Sequence, residues 1–382
     1  MSIPLIRICS SATLALILAL SLATQTMATP LNAHVEKTAF GLDGSSLVDL
    51  YQLTNTHGMV VKIMTRGATI TELQAPDKNG DLDNITLGFD TLKEYTTQQV
   101  PYFGAIVGRV GNRIAKGHFT LNGVSYTLAT NNGVNHLHGG LIGFDKVNWS
   151  ATEVPESNGC AVRFSYLSKD GEEGYPGNCR TDVTYVLTND NTLELTYAVT
   201  VDKDCPINVT NHTYFNLAGP EHGSILGHEI LINADHYTPV DSTLIPTGEL
   251  KTVTGTAMDF TSSHAIGERI KAVGGDPIGY DHNYVLNKTS GLSLAARVHE
   301  STSGRTMEVY TTEPGVQFYS GNFLDSTLTG KKAVVYKQYG GFCLETQHFP
   351  DTVNHSNFPT NVLKAGQTYH SQTIFKFSAS KN

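Results

Sequence analysis

Alternation of apolar and polar residues is the feature that most restricts the fold of this chain. Between residues 192 and 201, Leu193, Leu195 and Tyr197 fall on one face of an extended segment, and threonines and a glutamate occupy the other. Successive side chains of a strand point to opposite faces, so this period of two indicates a strand with one buried face. A helix would require a period near 3.6.

Turn residues connect several such segments into hairpins. Asn122-Gly123 separates 119–121 from 124–128, and this pair suits a type I′ turn because both central residues need a positive φ. A second hairpin joins 47–53 to 59–64. Further strands are predicted in the alternating segments 162–166, 182–187 and 373–377.

Helical patterns are short by comparison, and the best candidate is the segment 263–272. The 36 glycines favour many tight turns, and no linker or repeat divides the sequence after residue 30. These features predict an all-β protein with one large domain over residues 29–382. A flat sheet of so many strands would curl or split, so we expect a single-domain antiparallel β-sandwich of two packed sheets.

The first 28 residues have the pattern of a secretory signal peptide. Arg7 precedes an apolar run from Ala12 to Ala23, and small residues suit cleavage after Ala23 or Ala28. The run is shorter than the ~20 apolar residues that span a bilayer, which argues against the alternative of an uncleaved anchor. The sequence therefore predicts an exported protein, periplasmic in a bacterium and otherwise secreted, with no membrane association after cleavage.

Charge and cysteine content exclude several other classes of protein. Lys and Arg number 26 against 35 Asp and Glu, and this net charge of -9 argues against nucleic acid as a partner. The cysteines lack the spacing of a zinc site. One disulfide, Cys179–Cys205, is predicted if a bulge brings the two Cα atoms within about 7 Å, and Cys343 is expected to be a free thiol.

Histidines and carboxylates provide the candidate catalytic groups. His136 and His138 are two residues apart, and on one strand face this spacing would suit a metal, although a structural hydrogen bond is the commoner role. Glu345 lies in an apolar segment, where burial would raise its pKa. His212 has an unperturbed pKa near 6.5 and needs no large shift to donate a proton near neutral pH. Asp281 is a second candidate carboxylate.

Arg109 and Arg113 stand four residues apart in a glycine-containing run. Each can bind hydroxyl groups or a carboxylate, or can pair with a structural acid. The run matches no phosphate-binding loop, and the sequence contains no Gly-x-Ser-x-Gly motif for a nucleophilic serine.

Together these motifs resemble the aldose 1-epimerase (galactose mutarotase) family. The matching stretches occur in family order across nearly the whole chain after the N-terminal segment: PYFGA (101–105), GNRIAKG (111–117), LHGG (137–140), DGEEGYPG (170–177), NVTNHTYFNLAG (208–219), YDHN (280–283), PGVQFY (314–319) and FCLETQ (342–347).

The resemblance implies a β-sandwich with a sugar groove on one sheet and a free aldose, such as glucose or galactose, as the small-molecule partner. It implies that Glu345 is the catalytic base and His212 the acid. The sugar would be held by Arg113, His138, Asp281 and Gln317, and Asn112 would line the same groove. It also implies isomerisation of the α and β anomers without a cofactor or metal.

The chemistry of anomer exchange needs one base for the C1 hydroxyl and one acid for the ring oxygen. Two alternatives remain open from sequence: a noncatalytic sugar-binding sandwich, and a glycoside hydrolase that uses Asp281 and Glu345 as paired carboxylates. We expect a monomer or weak dimer.

Overall fold

Most of the alternating segments form antiparallel strands, which confirms the predicted fold class. This computed structural model describes Met1, residues 32–288 and residues 290–380. Beyond Met1, the predicted signal peptide and its cleavage sites after Ala23 and Ala28 lie outside the described residues.

Residues 34–84 form a five-stranded sheet in which each strand pairs with the next. Leu53 lies opposite Val61, so the predicted hairpin of 47–53 with 59–64 is confirmed. The strands are β1 (His34–Asp43), β2 (Ser46–Thr54), β3 (Val60–Met64), β4 (Thr69–Pro76) and β5 (Leu82–Asn84).

A short helix and five short strands follow. Leu121 lies opposite Val124, and the two residues between them, Asn122 and Gly123, have φ values of 52° and 77°. The type I′ hairpin is therefore confirmed. These elements are α1 (Leu92–Thr97), β6 (Ile106–Val107), β7 (Arg113–Ile114), β8 (His118–Leu121), β9 (Val124–Thr127) and β10 (His136–Leu137).

The remaining elements include the strands of the two sheets that form the sandwich. They are β11 (Ser150–Val154), β12 (Gly159–Ser168), β13 (Cys179–Thr188), β14 (Thr192–Val201), β15 (Cys205–Pro206), β16 (Thr210–Asn211), β17 (Glu229–Ile232), β18 (His236–Thr238), β19 (Lys251–Thr252), β20 (His264–Ala265), α2 (Ile270–Val273), β21 (Asp281–Val285), β22 (Ser293–His299), β23 (Arg305–Thr311), β24 (Gly315–Tyr319), β25 (Cys343–Gln347), β26 (Val362–Leu363) and β27 (Thr368–Ala379).

The larger sheet has nine strands in the order β11-β12-β13-β14-β27-β23-β22-β17-β20, and the smaller has five in the order β19-β18-β21-β24-β25. Their facing sides share one apolar core, in which Val309 and Phe375 of the larger sheet and Val316 and Phe318 of the smaller are buried. Each such side chain contributes about 1.5–3 kcal/mol on burial. The smaller sheet is thereby fixed against a rigid support.

Two local predictions differ from the structure. The segment 263–272 contains the short strand β20, and its helix is limited to residues 270–272, three of the four residues of α2. Cys179 and Cys205 are free, buried thiols rather than a disulfide. Cys179 lies opposite Val201 as the hairpin register requires, but no described bulge brings Cys205 back to it. Cys343 is free, as predicted.

No helix among the described residues is both long and apolar enough to cross a bilayer.

Candidate active site

The site lies on the side of the smaller sheet that faces away from the apolar core. The register places Asn283 opposite Gln317, and Gln317 opposite Glu345, so three polar side chains form a row across β21, β24 and β25. Because side chains alternate along a strand, Val316 and Leu344 point to the opposite side and join the core. One sheet thus provides both an apolar support and a polar floor.

Glu345 occupies the centre of this floor and is only 2% exposed. Its Oε1 lies 3.6 Å from Nε2 of His212, and its Oε2 is buried without a hydrogen-bond partner. Burial, and secondarily the negative charge of Asp281, raise the pKa of Glu345 well above its usual value, and Arg113 opposes this shift. The predicted direction of the Glu345 shift is confirmed.

His212 follows β16, which pairs with β6. Its ring is stacked on Tyr214 with centroids 5.2 Å apart, and its Nδ1 lies 3.6 Å from Sγ of Cys343. Burial lowers the pKa of His212 to about 4. The expectation that His212 needs no large shift is therefore wrong, because its ring is enclosed by protein rather than water.

His138 lies directly after β10 and is also buried. Its Nδ1 accepts a hydrogen bond from the backbone N–H of Asn112 at 3.0 Å, so its Nε2 carries the proton in the neutral ring. The ring centroids of His138 and His212 are 5.0 Å apart. Asn112 and His138 both have positive φ values, 59° and 49°, a backbone conformation that non-glycine residues adopt mainly where function or packing requires it.

Asp281 is held between Gln317 and Arg113. Nε2 of Gln317 donates to its Oδ1 at 2.6 Å, and Nη1 of Arg113 lies 4.0 Å from its Oδ2. Nε of Arg113 donates to Oδ1 of Asn132 at 3.1 Å. This arrangement leaves the remaining guanidinium donors and the carboxylate directed at the same space.

A cavity of about 820 Å³ opens beside these groups, and Arg113 and Asp281 line it. Phe323, which is 54% exposed, stands at its rim. This volume lies within the usual range of small-molecule sites.

The seven residues predicted from sequence therefore lie together: Asn112, Arg113, His138, His212, Asp281, Gln317 and Glu345. Two other candidates lie apart. His136 binds the carbonyl of Ala129 and the hydroxyl of Tyr175, since the positive φ of His138 ends the strand and separates the two rings. Arg109 is buried and donates to Ser168 and to backbone carbonyls, which is a structural role.

His138, His212 and Glu345 also bring potential metal-ligand atoms within 4.8 Å of one another. Two histidines and a glutamate can bind zinc. However, the lone pair of His138 Nδ1 already accepts the Asn112 N–H, and its Nε2 is a donor. The arrangement consequently suits hydroxyl binding and proton transfer better than metal coordination.

Several neighbouring residues were not predicted from sequence. Asn132 anchors Arg113, and Gln347 donates to Asn283 and Gln317 on the polar floor. Tyr102 packs on His138 with ring centroids 4.5 Å apart. Gln347 and Tyr102 fall within the motifs FCLETQ and PYFGA, whereas nothing local distinguishes Asn132 from the other asparagines of the chain.

The chain is similar to known proteins along most of its length. The family model described as aldose 1-epimerase matches residues 49–376. Galactose mutarotase of Sus scrofa is 48% identical over 346 residues, which cover 90% of this chain and 98% of the relative. Aldose 1-epimerase of Escherichia coli K12 is 40% identical over 335 residues, covering 86% and 95%. The crystal structure of galactose 1-epimerase from Lactobacillus acidophilus has a TM-score of 0.80 at 27% identity, covering 92% of this chain and 100% of that one.

Proposed function

The chain belongs to the aldose 1-epimerase family and is an isomerase that interconverts the anomers of aldoses, and on this basis we propose that Glu345 and His212 are its acid–base pair. The observation that carries the proposal is their arrangement: a buried carboxylate oxygen 3.6 Å from a buried imidazole nitrogen. A hemiacetal that presents its C1 hydroxyl to one of these groups and its ring oxygen to the other can exchange a proton with each.

Glu345 removes the proton of the C1 hydroxyl while Nε2 of His212 donates a proton to the ring oxygen. The C1–ring oxygen bond breaks and leaves the open-chain aldehyde. Rotation about the C1–C2 bond presents the other face of the carbonyl. The ring then closes as the hydroxyl oxygen attacks C1, the proton returns from Glu345, and His212 recovers its own. Glu345 and His212 therefore end the cycle in the protonation states in which they began it.

The pair acts with a single shared proton. The pKa directions favour a protonated Glu345 beside a neutral His212 in the free protein, because burial disfavours both charges. Glu345 becomes the base when that proton lies on His212. Arg113 favours this form because its charge lowers the pKa of Glu345.

Five residues are proposed to hold the sugar around this pair. Asp281 accepts from sugar hydroxyls, Gln317 and Arg113 fix Asp281 and add donors, and His138 offers its Nε2–H. Asn112 fixes the His138 ring through its backbone N–H. Gln317 and Arg113 bind Asp281 as a fixed acceptor, which favours this role over the paired-carboxylate hydrolase.

Polarimetry of fresh α-D-galactose, α-D-glucose and a pentose tests the function. We expect optical rotation to reach equilibrium faster than the spontaneous reaction, in proportion to protein concentration. Release of p-nitrophenol from a nitrophenyl glycoside, without accelerated mutarotation, would instead indicate the hydrolase. Saturable sugar binding without accelerated mutarotation would indicate the noncatalytic sugar-binding domain.

Export and assembly are further proposals. Arg7 and the apolar run that follows support cleavage after Ala23 or Ala28 and export to the periplasm or medium. N-terminal sequencing of protein from the exported fraction tests this. A monomer or weak dimer is expected, and light scattering during gel filtration measures it.

A further inference from the structure

Tyr102 packs against both histidines of the candidate site. Its ring centroid lies 4.5 Å from that of His138 and 5.7 Å from that of His212. Tyr214 stacks on His212 at 5.2 Å with an interplanar angle of 24°. The His212 ring therefore lies among three aromatic rings, including that of His138.

The backbone holds Tyr102 in this place at a cost. Its φ is 61°, in the left-handed region that costs an L-residue roughly 1–2 kcal/mol. Ala105 N–H donates to the Tyr102 carbonyl and closes the turn. The same turn is bonded to the catalytic segment, because Gly104 N–H donates to the His212 carbonyl and His212 N–H donates to Ala105. These bonds fix the turn that carries Tyr102 against the backbone of His212.

A charged group supports Tyr102 as well. Nζ of Lys146 lies 5.4 Å from the ring centroid of Tyr102, within cation–π range, and 2.9 Å from Oδ2 of Asp145. Asp145 is itself buried. The Tyr102 ring is therefore restrained by the two histidines, by Lys146 and by its own backbone.

We propose that Tyr102 is a positioning residue for anomer exchange: its ring fixes the His212 imidazole so that Nε2 of His212 stays directed at Glu345, whereas the His138 ring is held separately by the Asn112 N–H. This inference rests on the proposed role of His212. A strained residue with no hydrogen bond from its side chain to the catalytic groups is consistent with a role through ring packing. The hydroxyl group of Tyr102 should be dispensable, and the ring should not be.

The test compares Tyr102→Phe, Tyr102→Leu and Tyr102→Met by polarimetry. We expect Tyr102→Phe to keep kcat within about twofold, and the two ringless variants to lose about 10- to 100-fold in kcat with little change in KM. The control is Tyr126→Leu, which removes a half-buried ring stacked on Phe119 at 5.0 Å, and it should leave both constants unchanged. A rise in KM alone would make Tyr102 a sugar contact and overturn the proposal, as would a full loss in Tyr102→Phe.

Coupling to His212 separates this inference from the proposed function. In Tyr102→Leu/His212→Gln, we expect the residual activity to equal that of His212→Gln, because Tyr102 acts through the missing ring. Additive losses overturn the inference alone. Full activity in His212→Gln overturns both.

The pH profile provides a second measurement. The titratable groups that face His212 are Glu345, His138, Cys343, Tyr102 and Tyr214. Loss of the Tyr102 ring admits water, so the pKa of His212 should rise from about 4 towards 6.5. The acid limb of the pH–rate profile should shift to higher pH by the same amount. An unmoved limb in a folded, slow Tyr102→Leu contradicts the proposal. Failure of both ringless variants to fold would make Tyr102 a structural residue and also overturn it.

Discussion

Replacing Glu345 with glutamine removes a proton acceptor while preserving the size of the side chain. Loss of the base should lower kcat by at least about 10²-fold, which is the lower end of the contribution of a positioned acid–base group. Substrate binding should persist, because Asp281, Arg113 and Gln317 remain in place. The polarimetric rate and a separate sugar-binding measurement together distinguish the two effects.

The same substitution should stabilise the fold at alkaline pH. Oε2 of Glu345 is buried without a partner, and a buried unpaired group costs about 1–3 kcal/mol or more when charged. Because the folded pKa is raised above 4.5, the penalty is absent at acid pH and develops as pH rises through that folded pKa. We expect Glu345→Gln to melt a few degrees above the wild type at pH 8 and close to it at pH 5.

Glu313 offers a matched control on this point. It is equally buried, but His348 and Tyr369 bind its carboxylate, and its pKa is lowered. Glu313→Gln should therefore destabilise the fold at pH 8 and leave mutarotation close to the wild-type rate. Full activity in folded Glu345→Gln would refute the base assignment, and Asp281→Asn would then be the next variant to measure. A lower melting temperature for Glu345→Gln with an unchanged rate would show that the carboxylate is structural.

Arg113→Lys keeps the charge but loses the planar donor fork, so kcat/KM should fall more than tenfold with the pH profile unmoved, measured by polarimetry between pH 5 and 9; a shifted profile would mean that Arg113 tunes the proton-transfer pair. Gln317→Leu removes the 2.6 Å hydrogen bond to Asp281 and should raise KM by about 10- to 100-fold, whereas an unchanged KM would exclude Asp281 as a fixed sugar contact. Burial lowers the pKa of His228 to about 4, so between pH 6.5 and 4 the unfolded chain binds a proton that the folded chain does not, and this group lowers the free energy of unfolding by about 3 kcal/mol as pH falls through that range. Urea unfolding of His228→Gln should show a smaller loss of stability on acidification than the wild type. An equal loss would contradict the low pKa of His228. Titration of the denatured, unreduced protein should detect the four thiols of the described residues. A count of two of these thiols would show that one disulfide is present.

Local pattern was sufficient for most strands and for the hairpins. The turn at Asn122-Gly123 is determined by two residues whose backbone preferences are intrinsic, and the strand 192–201 by its own alternation. The site residues could be assigned because each lies within a motif of the family, even though residues as distant as Asn112 and Glu345 meet only in the folded sheet.

Features that depend on distant packing could not be predicted in this way. The spacing of His136 and His138 suggests one shared strand face, but the left-handed backbone at His138 turns its ring away. The low pKa of His212 arises from rings contributed by three separate segments. A helical pattern over 263–272 gives way to β20, because pairing with β17 extends the larger sheet.

The position of β27 within the larger sheet has a consequence for how the chain matures. Among the described residues this strand is the last element, yet it lies between β14 and β23 and is hydrogen-bonded to both. Until residues 368–379 have been synthesised, β14 and β23 have no strand to join them, so the nine-stranded sheet forms only once β27 is available.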